Sequence, residues 1–211
     1  MKQTKTFVIT ISRQLGSGGA YIGQQMAQRL NIFYADREII NKVAKDFSVM
    51  EEELEMHDEK ALTFWESFFQ YNTFSTDVYT PPRYLVPKGR DLFQAEAKII
   101  EHIANERSAV IIGRCGSYVL RNHPNHISLF LHADIESRIK RIQELYGKPK
   151  EEAREMILKS DKERALHCKK ETETEWSDAR NYDLSIDTGK IDPDKCVELL
   201  LNYLNLIDVS E

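Results

Sequence analysis

The sequence predicts an α/β fold: a parallel β-sheet flanked by helices, with a helical insertion and a lid. Three observations predict it. Short β-branched runs alternate with helical stretches along most of the chain, the order in which strands and crossover helices build a parallel sheet. The strand candidates are apolar runs, as strands covered on both faces are. A glycine-rich turn, Gly16 to Gly19, joins the first strand candidate to the first helix candidate.

Lys5 to Ser12 is rich in β-branched residues and ends at that turn, so it reads as a buried strand. A helix follows from about Ala20 to Leu30, with Ile22, Met26, Ala27 and Leu30 on one face. Ile32 to Tyr34 is a short second strand leading to Asp36, and Glu38 to Phe47 a second helix. Residues 48–90 break the alternation. They hold an acidic run from Glu51 to Glu53, the aromatics Phe64, Trp65, Phe68, Phe69, Tyr71 and Phe74, and Pro81, Pro82 and Pro87. A helix is expected over 51–71 and a loop beyond it. The i, i+4 spacing of the aromatics fits packing of a subdomain, or a platform on which a ligand stacks.

Alternation resumes at Asp91 with a helix to Glu106, then a strand from Ala109 to Gly113. A short helix from Gly116 to Leu120 precedes a strand from Ile127 to Leu131. Asp134 caps a helix that reaches Tyr146. Gly147 to Pro149 breaks it, and a highly charged helix runs on to about Lys170. Tyr182 to Ile186 is the last strand, packed by Trp176 and Tyr182. Asp192 and Pro193 open a final helix whose apolar stripe is Val197, Leu200, Leu201 and Leu204.

Composition narrows the function classes. A chain of 211 residues supports one sizeable core, here read as a single domain with a smaller mobile part. The net charge of −5 argues against a general nucleic-acid binder, which needs a broad basic surface. Cys115, Cys168 and Cys196 are far apart and form no CxxC pair, so they read as reduced thiols rather than a zinc site or disulfide framework. His102, His123, His126 and His167 lack metal-ligand spacing. No secretory h-region opens the sequence, and no apolar run approaches the roughly 20 residues of a membrane span. A cytoplasmic protein without membrane or nucleic-acid partners is expected.

The chemistry concentrates in the turn after the first strand. Ser12, Arg13, Gly16, Ser17, Gly18, Gly19 and Ala20 stand where backbone N–H groups and a helix N-terminus can cradle a phosphate. Glycine lets the chain take the required φ and lets the phosphate approach without meeting a Cβ. The turn departs from G-x-x-x-x-G-K-[ST]. Gly19 and Ala20 replace the lysine that reaches the β- and γ-phosphates and the hydroxyl that holds Mg²⁺. Arg13 or Lys42 is a candidate replacement cation, with the forked geometry of a guanidinium in the first case.

Ile11 to Gly19, Phe33 to Asp36 and Val110 to Arg114 together resemble the cytidylate kinase-like branch of the P-loop kinases. Asp161 with Arg164, Thr172 with Trp176, and Asn181 to Thr188 strengthen the resemblance. It implies a P-loop, nucleoside monophosphate kinase-like fold with ATP and Mg²⁺ as cofactors and phosphoryl transfer to CMP or a similar small acceptor. It also implies an acceptor-binding insertion over 48–90 and a lid over 138–175. By position, Asp36, Lys42 and Arg114 fall at the acceptor site, and Cys115 replaces an aspartate that holds the acceptor's sugar. Arg138 and Arg141 fall on the helix leading to the lid, and Arg164 in the arginine-bearing segment after it.

Phosphoryl transfer asks for cations around the moving group, and Arg114, Arg138, Arg141 and Arg164 are the candidates. Arg114 ends a buried strand, where a charge needs a partner or a ligand. The other three fit either this clamp or a solvated helix face paired with Glu136, Glu144 and Asp161. Asp36 fits an acceptor hydroxyl, Mg²⁺, or the cap of the helix at Glu38. Two functions follow: a kinase, or a phosphate-binding module that has lost catalysis and acts as sensor or interaction protein. The retained arginines favour the kinase. On that reading Arg114→Ala abolishes transfer with the fold intact, and Gly18→Val blocks the phosphate. A structural oligomer joined through residues 64–74 is a third reading, and the oligomeric state is open.

Overall fold

The computed structural model describes residues 6–36, 40 and 90–207. The expected helices over 38–47 and 51–71, the aromatic cluster of 64–74, the rest of the 48–90 insertion and Lys42 lie outside them.

Five strands form one sheet: β1 Val8–Arg13, β2 Phe33–Ala35, β3 Ala109–Ile112, β4 His126–His132 and β5 Leu184–Asp187. Their order across the sheet is β2-β3-β1-β4-β5, and every pairing is parallel. The helices are α1 Gly19–Leu30, α2 Arg90–Glu106, α3 Gly116–Val119, α4 Ile135–Tyr146, α5 Lys150–Thr172 and α6 Pro193–Leu206. The alternation read from the sequence is therefore the alternation present. The ends shift slightly. Strand β1 extends through Arg13, which pairs with Leu131 of β4, and β5 starts at Leu184 rather than Tyr182.

The strands are covered on both faces, which is why they read as apolar runs. Ile9, Ile11, Val110, Ile112 and Leu129 pack with Ile22 and Met26 of α1 and Val197, Leu200 and Leu204 of α6. Val8, Ala109 and Ile111 point the other way, toward Ile99, Ile100 and Ile103 of α2. The two sets alternate along β1 and β3, as period-2 geometry demands. A third cluster joins Leu15 of the glycine turn to Ile139 and Ile142 of α4 and Ala153 and Ile157 of α5. The α4–α5 hairpin thus has its own small core, and the turn is anchored in it.

Parallel pairing puts all five carboxyl ends on one edge. Strand β1 lies between β3 and β4, with the chain's first crossover going to one side and β4–β5 lying on the other. Such a switch in strand order opens a crevice at the strand's carboxyl end. The glycine turn emerges there. No helix among the described residues is long and apolar enough to cross a membrane.

Candidate functional site

The carbonyls of the turn from Arg13 to Ser17 are all engaged. Five successive carbonyl oxygens accept hydrogen bonds. Arg13 O receives Arg164 Nη1 at 3.0 Å, Gln14 O receives Ser17 Oγ at 2.8 Å, and Leu15 O receives Arg138 Nη1 at 3.4 Å. Gly16 O receives Arg141 Nη1 at 2.7 Å, and Ser17 O receives the Thr188 hydroxyl at 2.8 Å. In a planar trans peptide the N–H points opposite to the C=O. The Gly16 and Gly18 N–H groups therefore point away from the side that binds the Leu15 and Ser17 carbonyls. Gly16 and Gly18 make this path possible with φ of 80° and 79°, a region that side chains with a Cβ rarely enter. Helix α1 begins at once, with no side-chain cap and no acidic residue in its first turn. Its partial positive charge faces the same hollow. The arrangement fits a phosphate.

Asp161 on α5 organises the braces. Its Oδ1 accepts the Leu15 N–H at 2.9 Å. Its carboxylate pairs with Arg138 at 2.5 Å and with Arg164 at 3.6 Å. Arg138 is buried, which removes the solvated-face reading for that residue. Arg141 also leaves the solvated face: besides Gly16 O, its Nη2 reaches Thr188 O at 3.4 Å.

A second site forms at the end of β3. Gly113, Arg114 and Cys115 take φ of 77°, 53° and 53° in succession, so the chain turns sharply and two non-glycine residues sit in left-handed backbone. Arg114 Nε lies 3.2 Å from Glu96 Oε1 of α2, whose side chain is 1% exposed. The sequence reading missed Glu96. It also took Arg114→Ala to leave the fold intact. The ion pair with a buried carboxylate gives Arg114 a structural role beside the functional one. Helix α5 covers this site too. His167 packs edge-on against Phe93 with centroids 6.2 Å apart. Its ring titrates below the usual histidine range, through burial first and then the Arg114 charge.

Cys115 and Cys168, read from the sequence as thiols far apart in the chain, come close enough for each to shift the other's titration. Both are free cysteines. Cys168 also contacts the Thr172 and Thr174 hydroxyls at 3.4 and 3.5 Å. The neighbouring thiol pulls Cys168 below its ordinary range and, with burial, pushes Cys115 up.

Asp36 is buried at the carboxyl end of β2. Its carbonyl accepts the Ile40 N–H at 3.0 Å, the bond of a first helical turn. Ser12 is buried at the end of β1. No cluster of three histidine, cysteine or acidic side chains suited to a metal occurs among the described residues, and Ala20 has no hydroxyl to offer one. Trp176 and Tyr182 both pack on Phe130 of β4, with centroids 5.4 and 5.0 Å away.

The cytidylate kinase-like family profile matches residues 8–190, a span that takes in the turn, both arginine sites and the α4–α5 hairpin. The chain belongs to the cytidylate kinase-like family. Among solved structures it is similar to an uncharacterized protein from Eubacterium ventriosum ATCC 27560. That likeness has a TM-score of 0.72 at 27% identity, covering 95% of this chain and 99% of that one. Shikimate kinase from Bacteroides thetaiotaomicron superimposes with a TM-score of 0.52 at 13% identity, over 94% of this chain and 98% of its own. At that identity the likeness is one of fold, and the fold is that of a P-loop kinase. No curated protein matches the chain.

Proposed function

We propose that this cytidylate kinase-like chain is an ATP-dependent kinase that transfers a phosphoryl group to a nucleoside monophosphate of the CMP kind, or to another small acceptor. The observation that carries the reading is the hydrogen bonding of five consecutive carbonyls, four of them to side chains from outside the turn. A turn braced in this way keeps its carbonyl oxygens engaged and leaves the Gly16 and Gly18 N–H groups for an anion.

ATP supplies the transferable phosphoryl group. The Gly16 and Gly18 N–H groups and the start of α1 hold its phosphates, with Ser12, Arg13, Ser17, Gly19 and Ala20 lining the cradle. Arg141 and Arg164, already at the turn, carry charge toward the moving group. Arg138 serves as a positioning residue, since its guanidinium is engaged by Asp161 and Leu15. Arg114 and Asp36, on the neighbouring strand ends, take the acceptor, with Lys42 a further candidate. A Mg²⁺ arriving with ATP is held chiefly by phosphate oxygens and water, the ion's usual mode where protein ligands are few. The α4–α5 hairpin and the segment to residue 175 act as the lid, and residues 48–90 as the acceptor insertion of a single domain. A cytoplasmic nucleotide pool supplies both substrates.

The loss of lysine and hydroxyl at Gly19 and Ala20 favours one alternative: a phosphate-binding module without transfer, acting as a sensor. Calorimetric titration with ATP and with a panel of nucleoside monophosphates, each with and without Mg²⁺, separates the two. The kinase binds ATP with Mg²⁺ and prefers one monophosphate, which is then converted to its diphosphate. Binding of ATP without any acceptor or turnover replaces the kinase by the sensor. Absence of both binding events removes the turn from function.

A further inference from the structure

Gly19 and Gly113 are far apart in the sequence, yet both make room for one side chain. A Cβ placed on Gly19 would lie 2.7 Å from both Cβ and Cγ of Arg13. A Cβ placed on Gly113 would collide with Arg13 Nη1. The Arg13 side chain therefore starts at the end of β1, crosses the first residue of α1, and ends with its guanidinium against the end of β3. Gly113 needs to be glycine for its backbone as well, with φ of 77°. Gly19 does not: it begins an ordinary helix. What requires glycine at position 19 is the stem of Arg13.

Position 19 is where a P-loop places the lysine that reaches the phosphates. The arginine and the missing lysine compete for one space. We propose that Arg13 has taken over that lysine's task, so that the cation of this site enters from β1 instead of α1; this rests on the kinase reading above. The stem lies against Gly19 and the guanidinium against Gly113, the residue before Arg114, so on the kinase reading it faces the space between donor and acceptor. A guanidinium there offers a planar fork to two oxygens at once, where an ammonium offers a point charge.

The test is titration of the purified protein with sodium pyrophosphate and with ATP, without Mg²⁺, followed by calorimetry. Arg13→Met weakens both by about tenfold or more, the loss of one charged hydrogen-bonding group. Arg13→Lys falls between. Gly19→Lys alone binds poorly, because its Cβ meets Arg13. Arg13→Gly combined with Gly19→Lys regains most of the affinity. Should Arg13→Met fail to fold, Arg13→Lys and the double variant carry the test. Unchanged affinity in Arg13→Met or Arg13→Lys, or no recovery in the double variant, overturns the proposal while the kinase reading stands. A wild-type protein that binds neither ligand overturns both.

Discussion

The two arginine sites are built on opposite electrostatic plans. At the glycine turn, Arg138 and Arg164 lean on one carboxylate, Asp161, and Arg141 binds the neutral carbonyls of Gly16 and Thr188. A guanidinium satisfied by carbonyls keeps its full charge. At the end of β3, Arg114 meets the fully buried Glu96, and the pair is close to neutral. The first plan suits a polyanion. The second suits orientation: a buried ion pair adds little net stability, but it fixes where its members point. Fixing Arg114 requires a left-handed backbone at two successive non-glycine residues, a local strain of the kind that persists only where surrounding contacts enforce it.

The largest effect expected from breaking this contrast is at Glu96. Glu96→Ala leaves the Arg114 charge poorly compensated and should cost about 3–5 kcal/mol of stability, read as a fall in the denaturant midpoint. A midpoint within error of wild type would show that the pair is not what holds the β3 turn. The turn site should respond less in stability and more in binding. Gly16→Ala places a Cβ 2.9 Å from Arg138 O at φ of 80°. It should cost about 1–3 kcal/mol and weaken phosphate binding as the braces shift. Equal phosphate affinity in this variant would separate the braces from the hollow.

Acidification supplies an effect smaller than that at Glu96, away from both sites. His126, at the opposite end of β4, lies 2.7 Å through Nε2 from the Thr10 hydroxyl. Burial first of all holds it down to about 4. A histidine whose folded pKa is depressed contributes its stability fully above the unfolded value of 6.5 and loses it as pH falls toward 4. The loss amounts to something on the order of 2–3 kcal/mol over that window. His167 shifts in the same direction. The expected result is a wild-type stability that declines from pH 6.5 to 4, and a His126→Asn variant that declines less. Parallel profiles for the two proteins would assign the acid response elsewhere.

Much of this was legible in the sequence, and what was missed has identifiable causes. The strands declared themselves because burial on both faces leaves uninterrupted apolar runs, and the turn because glycines cluster where a strand meets a helix. Asp134 and Asp192 read as caps and are caps, accepting the Ser137 and Asp194 N–H groups. Glu96 passed unnoticed as one more helix acid, although its spacing to Ile99, Ile100 and Ile103 sets it on the buried face of α2. That phase was the available signal. The Cys115–Cys168 contact and the stem of Arg13 over Gly19 left no local trace. The first joins distant segments of the chain, and the second depends on the path of the turn between β1 and α1, which composition alone does not specify.

Thr188 follows the edge strand β5, and its hydroxyl reaches both Ser17 O and His132 O. This contact carries a consequence for the order of assembly. The glycine turn is synthesised well before residue 188, which supplies its last brace in chain order, after a strand that among the described strands pairs with β4 alone. Contacts of such long sequence separation form late. A nascent chain short of β5 therefore carries the turn with the Ser17 carbonyl not yet claimed by Thr188, and the brace closes only once the edge strand has paired.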